Sequence, residues 1–283
     1  TMNYILYNPK ANNGNSNKRL EEFIKKNPED HVIINVLEDV NYSELFKELQ
    51  ENDEITIVGG DGTLNHFIND TKDLNISCNI YMLAAGTGED FFNDIGMKPE
   101  RGRVLINQYL KNLPIVTVND KDYLFINGIG YGIDGYCCET ADKLKEKTTK
   151  PINYTSIAIK GLLFHYKAPN AKITVDGVTK TYKHVWLAPT MKGRYYGGGM
   201  MVAPNQDRND PEEKVTVVVL HKAGKLKTLM VFPSIFKGEH IKHTKMVDVI
   251  SGHNIEVEFD RPTALQIDGE TFVGITKYSV RTK

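Results

Sequence analysis

Two rhythms of apolar and polar positions divide the chain. In the first part, short apolar or β-branched runs at Asn3–Tyr7, His31–Leu37, Glu54–Val58 and Asn79–Leu83 predict strands. Segments of helical spacing lie between them. Leu20, Phe23 and Ile24 mark a helix within Asn17–Lys26, and Leu45, Phe46 and Leu49 another within Tyr42–Gln50, with Ser43 placed to cap it. Further helices are predicted from Leu64 to Ile68, from Asp90 to Ile95 and, as an amphipathic segment, from Arg101 to Leu110. Strands alternating with helices through short loops imply parallel βαβ units, hence an α/β domain with a parallel sheet.

After Val116 the rhythm changes. Helical spacing persists over Gly135–Lys147 and Tyr154–Tyr166, and the remainder reads as strands. Lys172–Val175 and Lys180–Leu187 flank Asp176-Gly177, a strong hairpin-turn signal. Val215–Leu220, Ile255–Phe259, Ala264–Ile267 and Thr276–Val280 follow. Antiparallel strands at this spacing predict a β-sandwich domain. The expected boundary lies near Leu113-Pro114, with a first domain over 1–116 and a second over 117–275.

Composition narrows the class. The 283 residues, 40% hydrophobic and 25% charged, exceed the usual single core and fit two globular domains. A formal net charge of −1 argues against nucleic-acid binding by bulk electrostatics. Three cysteines, Cys78, Cys137 and Cys138, with no metal-ligand spacing, read as thiols in a reducing compartment. The start lacks the features of a signal peptide, and no apolar run reaches the ~20 residues of a membrane span. The expectation is a soluble, cytoplasmic protein that meets a membrane, if at all, from its inner surface.

The sharpest chemical signal is Gly59-Gly60-Asp61-Gly62-Thr63, placed between a buried strand and a helix. Glycines let backbone N–H groups approach an anion, and the helix N-terminus adds partial positive charge. Phosphate is the natural ligand, although a plain glycine turn with Asp61 bonded to backbone has the same letters. The device recurs one strand later in Gly86-Thr87-Gly88-Glu89-Asp90-Phe91, where acidic residues also suit a helix start. Both loops leave the carboxyl edge of one sheet, where open α/β sheets bind ligands. Asn8-Pro9-Lys10 leaves the first strand on that same edge.

In order, Asn8-Pro9 through Gly14, Gly59 through Asn65 and Gly86 through Phe91 resemble the diacylglycerol kinase catalytic domain family. Asn127-Gly128-Ile129-Gly130-Tyr131-Gly132-Ile133-Asp134, Gly197-Gly198-Gly199-Met200, Ala203-Pro204, Lys237-Gly238-Glu239-His240 and Ile267-Asp268-Gly269-Glu270 continue the likeness across nearly the whole chain. The resemblance implies an ATP-binding α/β domain and a β-sandwich with the active site in the cleft between them. It also implies that the tail, 276–283, returns to the first domain. ATP would lie on Asn8, Pro9, Lys10, Gly59, Gly60, Asp61, Gly62, Thr63, Asn65, Gly86, Thr87, Glu89 and Asp90, with magnesium near Asp61. Glu270 is implied as the general base, Asp268 as its catalytic support, and Asp134 as part of the metal network.

The chain departs from the family pattern after Ala203-Pro204. Asn205-Gln206-Asp207-Arg208-Asn209-Asp210-Pro211-Glu212-Glu213 replaces a stretch that in relatives holds a structural magnesium, leaving Asp207 and Asp210 as candidate ligands. A threonine usual after the second strand and an asparagine usual before the triple glycine are missing. His221, His240, His243 and His253 read as solvated or core residues rather than a metal site. Between His221 and Lys245 stand six lysines against one acid, Glu239, with apolar residues interleaved. That stretch suits either an anionic bilayer or a helix packed on the second domain. The expectation is an ATP- and magnesium-dependent kinase of a lipid hydroxyl, diacylglycerol first. The rivals are a sphingoid lipid or NAD as acceptor, and a catalytically impaired regulator that binds nucleotide or lipid.

Overall fold

The parallel sheet of the first unit is formed by β1 (Asn3–Tyr7), β2 (His31–Asn35), β3 (Glu54–Gly59) and β4 (Asn79–Ala84). They hydrogen-bond in the order β2-β1-β3-β4, with the short β5 (Val104–Leu105) antiparallel at the β4 edge. The computed structural model describes residues 1–86, 89–98, 100 and 102–283, with only the backbone at Asn12 and Asn13. Helices α1 (Asn15–Lys26), α2 (Tyr42–Glu48), α3 (Asp61–Asp70) and α4 (Asp90–Asp94) connect the strands. β3 is central, so Ile55, Ile57 and Val58 are fully buried, as its uninterrupted apolar run requires. Leu20 and Phe23 of α1 pack with Ile5, Val58 and Leu83. The cap of α2 is Asn41, whose side chain accepts from the Glu44 N–H at 3.2 Å, and not Ser43. From β1 the chain moves outward to β2 and then recrosses to β3. The order therefore reverses between β1 and β3, and a crevice opens at their carboxyl ends.

The helix expected over Arg101–Leu110 does not form; Arg101 itself lies outside the described residues. Val104–Leu105 is a strand, followed by a 3-10 turn at Asn107–Tyr109. Tertiary bonds override the helical spacing here. The Asn107 side chain accepts from Ile80 N–H at 2.7 Å and donates to the Cys78 carbonyl at 2.8 Å, holding the segment along β4. Arg103 pairs with Glu54 at 3.1 Å and lies over the Tyr81 ring.

The second unit begins at Asn112. Its strands are β6 (Ile115–Val118), β7 (Lys121–Leu124), β8 (Gly128–Tyr131), β9 (Ala171–Val175), β10 (Val178–Tyr182), β11 (Thr190–Met191), β12 (Val215–Leu220), β13 (Val247–Gly252), β14 (Asn254–Ile267) and β15 (Glu270–Arg281). They run antiparallel in the order β13-β12-β11-β8-β14-β15-β6-β7, and the β9–β10 hairpin pairs along the first half of β14. Asp176 and Gly177 adopt left-handed φ values of 48° and 83°, the turn that Asp-Gly predicts. β10 stops at Tyr182, short of the expected Leu187, and His184 takes a φ of 51° two residues later. β14 is one long strand with register shifts between Glu258 and Leu265, where two shorter strands were expected. Residues 276–281 are the end of β15, paired with β14 and β6, so this part of the tail belongs to the second unit.

The sandwich core centres on Tyr131, stacked on Phe259 with centroids 3.9 Å apart, its hydroxyl donating to the Ile275 carbonyl. Helix α5 (Ile133–Lys145), α6 (Tyr154–Lys160) with a π-helical turn at Gly161–His165, and α7 (Lys225–Val231) pack with Trp186, Leu187, Val218 and Leu220 in a second apolar cluster. Among the described residues no helix is long and apolar enough to cross a membrane.

Gly130 in β8 has no room for a side chain. A Cβ there would stand 1.6 Å from Asp134 Oδ2 and 2.4 Å from Gln266 Nε2. Gly130→Ala is expected to lower stability by about 1–3 kcal/mol in urea unfolding. Gly224→Ala, where a Cβ meets nothing within 4 Å, is the neutral control.

Candidate functional site

Three loops meet where the strand order of the first unit reverses. β3 ends at Gly59 and α3 begins at Asp61, so Gly60 alone makes the turn from strand to helix. The N–H groups of the first turn of α3 have no partner within their own helix and present a partial positive charge. Gly86, after β4, approaches this turn backbone to backbone. A Cβ on Gly86 would stand 2.4 Å from the Gly60 Cα. Ala85 N–H donates to the Gly59 carbonyl at 3.0 Å, continuing the strand pairing into the loops.

Asn8 supplies the third loop. Its N–H donates to the Val58 carbonyl at 3.2 Å, its amide to Thr63 Oγ1 at 3.4 Å, and its Oδ1 accepts from Lys10 N–H at 3.0 Å. Ser16 Oγ donates to the Asn8 carbonyl at 2.7 Å and ties the loop to α1. Pro9 is half-buried and Lys10 exposed on this loop. Asn65, buried on α3, accepts from the Asn69 amide through its carbonyl at 3.0 Å. The structure thus joins Asn8, Gly59, Gly60, Thr63 and Gly86; Thr87 lies outside the described residues.

Asp61 is buried and holds the start of α4. Its Oδ2 accepts from Asp90 N–H at 2.9 Å and its Oδ1 from Phe91 N–H at 3.4 Å. The aspartate therefore bonds to backbone, but to the backbone of the second glycine loop, so it couples the two phosphate-type loops. Glu89 stands just before α4. Burial pushes its carboxyl up and nearby Glu100 adds to this, with Arg19 opposing. Arg19, on α1, also donates to the Ala84 carbonyl at 3.3 Å, a contact that nothing in the sequence pattern announced.

In the second unit, Asp268 and Glu270 flank the β14–β15 turn, with left-handed φ at Asp268 (47°) and Gly269 (94°). Glu270 is exposed at the first position of β15. Asp268 is buried, and its carboxylate accepts three consecutive N–H groups, from Ile126 at 2.8 Å, Asn127 at 2.9 Å and Gly128 at 3.0 Å. Its geometry is that of a positioning residue, which fixes the start of β8 against the turn that carries Glu270.

Asp134, in the first turn of α5, is buried, and among the described residues neither carboxylate oxygen makes a well-formed hydrogen bond. Burial pushes its carboxyl up to about 6. The neighbouring Asp134 and Gly135 N–H groups, the Gln266 amide and the Tyr196 hydroxyl offset only part of that. The hydroxyls of Tyr166 and Tyr196 are likewise buried without partners, and both feel the Asp134 charge. Nothing in the apolar pattern marks these two tyrosines as site residues. Two orphaned oxygens suit a cation or a polar ligand.

In the loop after Ala203-Pro204 both carboxylates bond to nearby backbone. Asp207 Oδ1 accepts from Asn209 N–H at 2.9 Å, and Asp210 takes Glu212 N–H and Lys214 N–H at 3.1 Å each. Buried Lys192 feels both aspartates, and buried Arg208 donates to the Ile126 carbonyl and, at 2.9 Å, to Asn127 Oδ1. Positive side chains already stand beside these carboxylates. Among the described residues no three His, Cys, Asp or Glu side chains gather as metal ligands, so Asp134, Asp207 and Asp210 do not form one site. The late histidines are dispersed, His240 on the Val202 carbonyl at 2.8 Å, His221 on Asp248 at 3.3 Å and His253 on Thr282 Oγ1 at 2.8 Å.

Two substitutions test these assignments. Asp268→Ala leaves three buried N–H groups without their acceptor and is expected to cost about 3 kcal/mol of stability, read by denaturant unfolding. For Asp134 the folded-state value, about 6, lies above the ordinary 3.8. Its proton is then held more tightly in the folded state, so stability is highest below the ordinary value and falls as pH rises through the folded one. The loss is about 3 kcal/mol. In EDTA, Asp134→Asn is expected to gain most of that relative to the parent between pH 4.5 and 7.5. A parallel pH dependence in the two proteins would remove the assignment.

Residues 3–117 match the family described as the diacylglycerol kinase catalytic domain. Residues 127–279, more than half of the chain, match the YegS C-terminal NAD kinase β-sandwich-like domain. A diacylglycerol kinase of Bacillus subtilis is 23% identical over 278 residues, covering 94% of this chain and 88% of that protein. A diacylglycerol kinase of Mycobacterium tuberculosis is 23% identical over 197 residues, which span 67% of this chain but only 62% of that protein. The crystal structure of a diacylglycerol kinase from Bacillus anthracis superposes with a TM-score of 0.60 at 18% identity, covering 99% of this chain and 93% of that one. At that identity the superposition speaks for the fold, an α/β unit followed by a β-sandwich. With both of its units matched in order, the chain belongs to the family whose members join a diacylglycerol kinase catalytic domain to a YegS C-terminal NAD kinase β-sandwich-like domain.

Proposed function

We propose that the protein transfers the γ-phosphate of ATP, presented with magnesium, to a lipid hydroxyl, with diacylglycerol as the first acceptor. The observation that carries this reading is the meeting of the Asn8, Gly60 and Gly86 loops at the strand-order reversal. Backbone N–H groups and a helix N-terminus come together there, with Gly60 and Gly86 in close backbone approach. Asn8 and Thr63 would contact the phosphates, with Thr87 beside them. Asp61 would orient the hydrated metal while it holds α4. Magnesium, when bound, neutralises charge on the transferring group.

Glu270 is the proposed general base, and removing the proton from the acceptor hydroxyl is its task. Asp268 sets the turn, and Asp134 with the Tyr196 and Tyr166 hydroxyls would receive polar groups of the acceptor or a cation. These orphaned groups are retained at a cost in stability, which supports a functional use.

The test is radiolabelled phosphate transfer from magnesium-ATP to vesicles containing diacylglycerol, monoacylglycerol, ceramide or sphingosine, with NAD as a soluble acceptor. Labelled lipid is expected, and Glu270→Gln is expected to reduce kcat at least about 100-fold while leaving nucleotide binding intact. Label on NAD would redirect the reading to that nucleotide. Binding of ATP without label on any acceptor would favour a regulator without kinase activity.

A further inference from the structure

α7 exposes apolar side chains between its lysines. Its buried positions include Thr228, whose hydroxyl has no hydrogen-bond partner, while Leu226 and Met230, four residues apart on one face, are 71% and 70% exposed. The π-helical turn beside it is tied to α7 by Lys225 Nζ, which donates to the Leu163 carbonyl at 3.1 Å, and carries Phe164, 72% exposed. Phe236 follows α7, meets buried Phe232 edge-on at 6.2 Å and is also exposed. All four stand on elements that share one buried apolar cluster through Leu162, Val231, Phe232 and Ile235. Lys160, Lys225, Lys227 and Lys237 are exposed on these same elements.

We propose that this face of the second unit docks on an anionic lipid bilayer. Phe164, Leu226, Met230 and Phe236 enter the boundary between headgroups and acyl chains, and the interleaved lysines sit at headgroup phosphates. The charge pattern selects this occupant. Protein interfaces are depleted of lysine at their centre, whereas here Lys225 and Lys227 bracket Leu226. A second copy would set lysines against lysines. The inference deepens the proposed function, because it names where a lipid acceptor would be reached, and its test separates the two.

The experiment is co-sedimentation with phosphatidylcholine vesicles with and without phosphatidylglycerol. The protein is expected to bind the anionic vesicles, less tightly as salt rises. Phe164→Ser/Leu226→Ser/Met230→Ser is expected to weaken binding by about tenfold or more, and Lys225→Gln/Lys227→Gln to reduce the preference for anionic vesicles. Val178→Ser, at an exposed position of β10, should bind like the parent, and circular dichroism checks that each variant is folded. Absence of binding by the parent, or equal binding by the serine variant, would overturn the proposal. So would a parental dimer that the serine variant converts to monomer, which assigns the face to a second copy. Phosphorylation of a short-chain diacylglycerol dissolved as monomers should survive in the serine variant. If the parent itself fails on that soluble acceptor but binds vesicles, the kinase reading falls and the docking surface stands.

Discussion

Three consecutive backbone N–H groups, of Ile126, Asn127 and Gly128, converge on the single carboxylate of Asp268, and the geometry of the candidate site in the second unit depends on that convergence. The contact crosses more than a hundred residues of sequence and pins the start of β8 to the β14–β15 turn. Arg208 grips the same segment from another side, through the Ile126 carbonyl and the Asn127 side chain. Position follows from these bonds. β8 then runs beside β14, which lets Asp134 of α5 rest on Gly130, and the turn itself presents Glu270. Such a network is costly to break, because each orphaned N–H would be buried.

The first unit works by the opposite economy. Its candidate phosphate site is assembled from main-chain groups, brought together by glycines that allow the Gly60 and Gly86 loops to touch. Among the described residues, the side chains of Asn8, Asp61 and Thr63 lock the loops to one another. The second unit, in contrast, retains buried polar side chains that its own fold does not satisfy. Main-chain donors suit a phosphate chain, whose oxygens look alike. Placed carboxyl and hydroxyl groups suit an acceptor that must be told apart from others.

Much of this was legible from residues alone. The alternation of strand and helix, the Asp-Gly hairpin and the glycine loops each have a local cause, so they survive without knowledge of the fold. The failures share a different cause. Arg101–Leu110 has helical spacing, yet Asn107 satisfies strand groups of β4 through its side chain, which no periodicity records. β10 stops at Tyr182 although the apolar run continues to Leu187, because His184 turns the backbone to a left-handed φ, which periodicity does not record either. Asp268 reads as a turn residue and is one, and its larger part, acceptor for a distant loop, is a long-range fact.

The register shifts in β14 have a further consequence. Asn254–Glu258 pairs evenly with β15 and β9, the pairing slips between Glu258 and Leu265, and Leu265–Ile267 pairs anew with β8. The slip works as an expansion joint. A change of length on the β9–β10 hairpin side would be taken up before Leu265, and the turn that carries Glu270 would keep its place beside β8.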